Sequence, residues 1–168
     1  MIWITMYHMR RRDKEVADPR ELRRVLLEAK YVTLALCVEN EPYIATLSHG
    51  YDVERNVIYF HCAGSGKKLD FMRRNPAVWG QALLDMGYQQ GSCDHLFQTT
   101  QFRGAVEFVT DVSEKRRALE VMVRQIDGEP EPIIASQINE KSIERITIGK
   151  INISYMSGKR ADKIIISM

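Results

Sequence analysis

The 168-residue chain has few cysteines, little net charge and no long apolar segment. Its three cysteines, Cys37, Cys62 and Cys93, are far apart and no CxxC spacing occurs, so neither a zinc site nor a disulfide framework is predicted. The net charge of +2 is too small to favour a nucleic acid or an anionic membrane as partner. No apolar run approaches the ~20 residues of a membrane-spanning helix. We expect a cytoplasmic protein in a reducing setting, with Cys37 and Cys62 buried in strands.

The sequence also lacks internal repeats, low-complexity segments and the common nucleotide fingerprints. Neither GxxxxGK[ST] nor GxGxxG occurs, which argues against a P-loop and against a dinucleotide-binding turn. With 45% hydrophobic and 27% charged residues, the composition is typical of a folded soluble domain. We expect that single domain over residues 9–168. Residues 1–8 are expected to be a flexible extension, because the arginines after them stand on the wrong side for a signal peptide, and Met9 is an alternative start.

Hydrophobic patterns and turn residues predict a mainly β domain with a few helices. Strands are predicted where β-branched and apolar residues concentrate, at 31–38, 43–48, 57–62, 77–84, 96–110 and 146–156. A polar loop is expected at 87–94, and a bulge at Arg103-Gly104. Helices are predicted after the N-caps Asp18 and Asp111 and after Gly66, while 133–145 is ambiguous and expected to be partly helical. Three successive strands without a helix favour an antiparallel curled sheet or barrel over a parallel sheet.

The most informative stretch runs from a strand through two glycines into a helix that begins with two lysines. Gly64 and Gly66 permit positive φ. A helix N-terminus presents unpaired N–H groups and the positive end of a dipole, and Lys67 and Lys68 add two charges there. The pattern predicts a site for a phosphate-bearing ligand. The alternative is a surface turn with solvated lysines, which applies more to Lys68 because one of two adjacent helical positions must face away.

Two histidines are candidates for chemistry near this site. His61 alternates with Phe60 on its strand, so one of the two side chains faces inward. Imidazole can change charge near neutral pH, which suits His61 to a hydrogen-bonding or proton-donating role, with a structural histidine as the alternative. His49 precedes Gly50 and follows hydroxyl residues, so we expect it at a strand end facing a cleft.

No metal site is predicted. The adjacent residues Cys93, Asp94 and His95 cannot easily bring three side chains onto one ion, and no second cluster completes four ligands. A polar loop is the simpler interpretation of this segment.

Eight segments, in a fixed order and spacing, carry a resemblance to a known family. They read MRRRDKE (9–15), EPYIATLSHGY (41–51), IYFHCA (58–63), GKKLD (66–70), RRNPAV (73–78), GAVEFV (104–109), EKRRAL (114–119) and SGK (157–159). Together the chain resembles the pyridoxamine 5′-phosphate oxidase-like, FMN-binding split-barrel proteins. Within them it is most similar to the group that includes the 5-nitroimidazole resistance (Nim) reductases. The resemblance covers roughly residues 9–160, and its specificity lies in the combination of segments.

The resemblance implies a six-stranded antiparallel split β-barrel that forms a homodimer with FMN at the subunit interface. It implies that the flavin phosphate is held by hydroxyl and basic side chains, and that two further residues lie beside the isoalloxazine ring. The implied phosphate ligands are Thr46, Ser48, Lys67 and Lys68, and the implied ring neighbours are His61 and Cys62. Trp79 and Trp3 are alternatives for covering a flavin face, although Trp79 is expected in the core.

The chain departs from the oxidases proper at three places. Gly66 stands where they have serine, lysine replaces their arginine at position 67, and their C-terminal arginine and histidine pattern is not found. These departures argue against vitamin B6 oxidation and leave the implied flavin binding unaffected.

The resemblance implies an FMN-dependent oxidoreductase that reduces a small electron-poor substrate, a nitroaromatic or a quinone, with a nicotinamide as a possible donor. The flavin would carry the electron chemistry, and His61 or His49 would be the catalytic side chain. The alternative is a non-catalytic flavin- or haem-binding protein or electron carrier of the same fold. A third alternative, a nucleic-acid-binding barrel of OB type, is disfavoured by the small net charge and the scattered aromatic residues.

Overall fold

One antiparallel sheet with helices on its outside forms the fold in the computed structural model, which describes residues 9–161. The strands are β1 (Glu15–Val16), β2 (Tyr31–Val38), β3 (Glu41–Ser48), β4 (Gly50–Asp52), β5 (Val57–Cys62), β6 (Ala77–Gln89), β7 (Asp94–Val109) and β8 (Thr147–Ala161). The helices are α1 (Pro19–Glu28), α2 (Lys67–Arg74), α3 (Val112–Ile126), α4 (Pro130–Gln137) and α5 (Glu140–Arg145), and Arg12–Lys14 forms a 3₁₀ turn. The predicted extension 1–8, with Trp3, lies outside the described residues.

The strand order turns the sheet into a barrel. Neighbours follow the order β3-β2-β6-β7-β8-β5-β4, and β1 pairs with β8. His49 alone separates β3 from β4, so the first and last strands of this order belong to one continuous segment of the chain. Counting β3 and β4 as one bent strand and leaving the two-residue β1 aside, the barrel has six strands. The predicted mainly β fold, an antiparallel barrel with peripheral helices, is confirmed.

Alternating side chains divide β5 between two hydrophobic clusters. Ile58 and Phe60 point into the barrel and belong to its main core. Val57 and Tyr59 point outward and belong to a second cluster, to which α3 contributes Ala118 and Met122. The next outward position on this strand is residue 61, so the packing of α3 brings that helix close to the histidine there.

Gly50 allows α3 to approach the bend of the barrel closely. A Cβ atom at this position would lie 2.7 Å from both the backbone N and the Cα of Met122. That distance is too short for any residue larger than glycine without a shift of the helix. The requirement fixes α3 against the β3–β4 bend, which is where the candidate site lies.

Most element boundaries follow the sequence signals. Asp18 caps α1 by accepting from the backbone N–H of Arg20 at 2.9 Å, and the predicted irregularity appears as a register shift between Arg103 and Gly104. The expected loop at 87–94 is confirmed only at residues 90–93, because β6 and β7 continue pairing to Gln89 and Asp94. The ambiguous segment 133–145 contributes to α4 and α5, in line with its partly helical prediction.

Three burial predictions are wrong, two of them because the side chain faces outward from the barrel. Cys37 is exposed, since it lies on the outer face of β2. Cys62 packs against the barrel core but is only half-buried at the end of β5. Trp79 is 41% exposed on the outer face of β6. Strand composition alone does not tell which face a given side chain takes. Within residues 9–161, no helix is long and apolar enough to cross a membrane.

Candidate functional site

The start of α2 has the backbone geometry of an anion site. Its N-cap is Gly66, whose φ of 131° lies in a region that side-chain-bearing residues rarely adopt. Within the described residues no side chain caps this helix, so its first N–H groups remain available to a ligand. A Cβ at Gly66 would meet nothing within 4 Å, which means that the surrounding space is open.

The two lysines at this helix start differ in their surroundings. Lys67 is exposed and its Nζ atom lies 4.8 Å above the ring centroid of Tyr43 and 5.3 Å from that of Phe71. The two rings are themselves 5.2 Å apart, so the ammonium group rests on an aromatic pair in cation–π contact. Lys68 is half-buried and close enough to Cys62 to act on it electrostatically.

Cys62 stays a thiol in this environment. Burial raises the pKa of its thiol, and the positive charges of Lys68 and Arg73 offset that effect only in part. A thiol beside a flavin ring can pack against it and donate a weak hydrogen bond, but a nucleophilic role would require a lowered pKa.

Thr46 and Ser48 lie on the outer face of β3. The Thr46 hydroxyl is 3.1 Å from that of Thr33 on β2, and both are accessible. Ser48 follows two residues later on the same face. The ring of Tyr43, over which the Lys67 ammonium lies, packs against the barrel core. Tyr43 stands five residues before Ser48 on β3, so the backbones of these two residues are roughly 17 Å apart at the usual rise of a strand. The structure therefore does not bring Lys67 and Ser48 to one point.

The expectation that His49 faces a cleft is wrong. Its side chain is 0% exposed, in the bend between β3 and β4. Its Nε2 atom donates to the carbonyl oxygen of Leu26 at 2.8 Å, and the side-chain amide of Gln125 lies 3.3 Å from the same atom. Burial lowers the pKa of this imidazole, against the smaller raising effect of the Leu26 carbonyl. The reason is the bend itself, which turns the residue beneath α1 and α3.

The environment of His49 makes a proton-transfer role hard to accommodate. Its Nδ1 atom is buried and has no hydrogen-bond partner among the described residues. The His49 ring is therefore neutral, with its proton on Nε2. Beside it, Gln125 of α3 donates to the Leu26 carbonyl of α1 and accepts from the Tyr51 N–H of β4. The catalytic role of His49 remains a prediction.

His61 is exposed, and Phe60 is fully buried in the barrel, which settles the alternation on β5. His61 shares a cavity of about 220 Å³ with Ser48, the outward residue at the end of β3. The other walls come from α3 and the segments after it. They are Leu119, Met122, Val123, Ile126, Asp127, Ile133 and Ile146. The structure thus brings His61 and Ser48 together beside an apolar surface.

Only part of this cavity could be predicted from sequence patterns. The helical spacing of Ala118, Val121, Met122 and Gln125 indicates one packed side of α3. Which side turns toward His61 depends on contacts between residues some 60 positions apart, so no local signal identifies Ile126 or Asp127 as neighbours of the site.

A second feature, which sequence reasoning missed, is a row of polar side chains across the outer sheet face. The strand register aligns Thr46, Thr33, Gln81, Gln101 and Ser157. Two grooves of about 570 and 400 Å³ run along this row and share Gln81 and Leu83. Thr46 lines the larger one.

A second row, which is apolar except for Arg103 and is called the apolar row, lies beside the polar row on the same face. The register aligns Ile44, Ala35, Trp79, Arg103 and Tyr155. Ile44 is 67% exposed, and the rings of Trp79 and Tyr155 meet edge to face at 5.9 Å. We call the two rows together the outer strand face. Exposed apolar surface of this extent is typical of an interaction surface.

Comparison with known proteins places this architecture among flavin-related folds. A family model described as pyridoxamine 5′-phosphate oxidase matches residues 18–160. A proposed 5-nitroimidazole antibiotic resistance protein from Bacteroides thetaiotaomicron superposes with a TM-score of 0.72 at 23% identity, covering 89% of this chain and 90% of that one. No match was found among the curated proteins.

Two further solved structures carry flavin or haem descriptions. The flavocytochrome Anf3 from Azotobacter vinelandii superposes with a TM-score of 0.76 at 14% identity, over 94% of this chain and 73% of that one. An FAD-binding protein from Mesorhizobium loti gives 0.63 at 21% identity, over 86% and 96%. At these identities the superpositions establish a shared fold.

Proposed function

The chain belongs to the pyridoxamine 5′-phosphate oxidase family, and we propose that it is an FMN-dependent oxidoreductase that reduces a small electron-poor substrate, a nitroaromatic or a quinone. The observation that carries the proposal is the pairing of two features at one end of β5. The strand leads through Gly66 into an uncapped helix start with two lysines, and it presents His61 beside an apolar cavity. An anion-binding helix start would hold the phosphate of a cofactor, and an apolar cavity on the same strand would hold a small substrate near that cofactor.

The residues at the start of α2 fit a flavin phosphate. The backbone N–H groups after Gly66 and the ammonium groups of Lys67 and Lys68 would hold it, since they combine a helix dipole with two point charges. His61 and Cys62 would lie beside the ring system, and Thr46 and Ser48 would supply hydroxyl groups along β3. When bound, FMN supplies the hydride and electron chemistry.

His61 is proposed to donate a proton or a hydrogen bond to the substrate. Its side chain is exposed, it follows the fully buried Phe60 on β5, and it lines the same cavity as Ser48. Imidazole is the side chain whose charge changes most readily near neutral pH. The aliphatic walls would exclude water from the substrate and orient it toward this ring.

We further propose a homodimer with the cofactor between the subunits. The outer strand face offers exposed apolar side chains in register, including Ile44, Trp79 and Tyr155, next to a row of hydroxyl and amide groups. Burying the apolar row would stabilise a dimer, and the polar row would remain able to hydrogen-bond a ligand between the two copies. A cytoplasmic location belongs to the same proposal.

FMN is proposed over FAD because the basic site is of phosphate size and no dinucleotide fingerprint is present. The second candidate is a flavin- or haem-binding electron carrier. It is favoured by the similarity to a flavocytochrome and to an FAD and haem binding protein from Mycobacterium smegmatis, the latter with a TM-score of 0.74 at 13% identity over 89% of this chain and 74% of that one.

Anaerobic reduction separates the two candidates. The FMN-loaded protein is titrated with NADH, then with NADPH, and the flavin absorbance is followed. Addition of a nitroaromatic or a quinone should restore the absorbance in repeated cycles. A flavin that is bleached but passes no electrons to either acceptor class would favour the electron-carrier candidate.

A further inference from the structure

We propose that the cavity between α3 and the ends of β3 and β5 is a binding site for one small, uncharged aromatic ring, and that it rejects phosphorylated and other anionic ligands. The inference rests on the proposed function insofar as the bound ring would be the electron acceptor. The binding preference itself follows from the walls of the cavity and can be tested without turnover.

The walls are apolar on one side and polar on the other. Six aliphatic side chains form the apolar side: Leu119, Met122, Val123, Ile126, Ile133 and Ile146. Ile126 is 60% exposed at the end of α3, although it lies next to this apolar surface. Ser48 and His61 stand on the other side, where they can donate hydrogen bonds to a nitro or carbonyl oxygen. This division matches an aromatic ring with one polar substituent.

The size of the cavity limits the ligand. Its volume is about 220 Å³. An apolar cavity of about 150 Å³ already admits benzene, whereas pockets for drug-sized ligands usually span about 300–1,000 Å³. A substituted single ring fits this range, and a complete flavin mononucleotide does not.

The charges around the cavity disfavour an anion. Asp127 is the one carboxylate among the nine lining residues, and none of the nine is lysine or arginine. Asp127 also ends α3, where the unpaired carbonyl groups give the helix terminus a negative partial charge. The nearest basic residue on the last turn, Arg124, is paired with Glu131 of α4. An approaching phosphate or carboxylate would therefore meet one carboxylate and the negative end of a helix dipole, with no lysine or arginine among the lining residues.

Two probes of nearly equal size test the preference. Ligand-observed NMR titration measures the binding of 4-nitrobenzyl alcohol and of 4-nitrobenzoate. The protein is used as purified, with its bound flavin retained. We expect the neutral probe to bind wild type at least ~10-fold more tightly than the anionic probe. Asp127→Asn should reduce this ratio of affinities, because it removes the negative charge and keeps the hydrogen bond that Asp127 accepts from the Glu129 N–H. Equal affinities, or a ratio unchanged in Asp127→Asn, would overturn the inference.

A substitution on the apolar wall locates the bound probe. Ile126→Asp should weaken the neutral probe at least ~10-fold, because it places a charge where the ring would pack. Val112→Asp is the matched control, since Val112 is 63% exposed at the other end of α3 and outside the cavity. Val112→Asp should bind the neutral probe with the affinity of wild type. Thermal melts of both variants show whether each remains folded, and Asp127→Asn keeps the test decisive if Ile126→Asp does not.

The outcomes separate this inference from the proposed function. If the probes behave as expected while no nicotinamide-driven reduction occurs, the binding site stands and the oxidoreductase proposal falls. If Ile126→Asp binds the neutral probe like wild type, the proposed binding site is wrong, whether or not substrate reduction continues. If Ile126→Asp instead loses its flavin while Val112→Asp retains it, the cavity holds the cofactor and the inference is overturned.

Discussion

The Nε2 atom of His49 donates to the carbonyl oxygen of Leu26 at 2.8 Å, and this bond ties the bend of the barrel to α1. Because a single residue joins β3 to β4, this bond holds the point at which the two ends of the sheet meet. The ring must stay neutral there, since its Nδ1 atom is buried without a partner among the described residues.

The neutral state of His49 predicts an acid-sensitive stability. Burial holds the pKa of this imidazole below its usual value of 6.5. Well above pH 6.5 both folded and unfolded chains carry the neutral ring, so His49 adds no pH dependence there. As the pH falls below 6.5, the unfolded chain takes up the proton first, and the free energy of unfolding decreases until the folded pKa is reached. Urea unfolding between pH 7.5 and 5 measures this decrease.

The control for this prediction is the variant His49→Gln. It should lose about 1–3 kcal/mol of stability at pH 7.5, the cost of a broken buried hydrogen bond, and lose part of the decrease below pH 6.5. Identical slopes in wild type and His49→Gln would show that His49 does not titrate in the way described.

Lys67→Ala is expected to weaken FMN binding by about 1–3 kcal/mol, the range for a hydrogen bond to a charged group. The loss should come from the phosphate alone, so riboflavin should bind wild type and variant alike. Lys141→Ala, an exposed lysine on α5, serves as control and should leave both affinities unchanged. Fluorescence titration of the apoprotein measures each value. Equal losses for FMN and riboflavin would mean that Lys67 acts through its contact with Tyr43 and Phe71.

His61→Asn should slow substrate reduction by about 10²- to 10⁴-fold, the usual contribution of a proton donor, because it keeps polarity and removes the titrating group. FMN affinity should change much less, since the phosphate anchor is intact. Stopped-flow reoxidation of the reduced protein by a nitroaromatic measures the rate. His49→Asn, the rival candidate, is expected to lose stability rather than turnover. Wild-type rates in both variants would leave the site with a positioning role only.

Trp79→Asp should weaken the proposed dimer by about 2 kcal/mol or more, as expected for an aromatic residue at the centre of an interface. Trp79 lies in the middle of the apolar row and contacts Tyr155. Light scattering over a concentration series measures the shift toward monomer, and Val112→Asp, outside the outer strand face, should stay dimeric. A wild-type monomer that binds FMN tightly would contradict the shared site.

The sequence carries enough local information to predict the barrel and its helix starts. The alternation of Phe60 and His61, the cap at Asp18 and the irregularity at Gly104 each depend on residues close together in the chain. Such signals are short-range, because periodicity and turn chemistry act within a few residues.

The parts that escaped prediction depend on packing between distant segments. His49 is buried because α1 and α3 both close over the bend, and Trp79 is exposed because it lies on the outer face of β6. Likewise, the cavity beside His61 requires Ile126 and Ser48 to meet, and nothing near either residue indicates that contact. Sequence reasoning found the lysine-led helix start, whose chemistry is local, and missed the apolar wall of the cavity beside His61.

The flavin content of the purified protein is the most direct test of the central claim. The protein is expressed with its natural sequence, denatured, and its extract is separated and identified by mass. The account predicts FMN, up to one per subunit, or its uptake in that ratio when FMN is added to the flavin-free protein. An extract without flavin, together with no uptake of added FMN, would contradict the account.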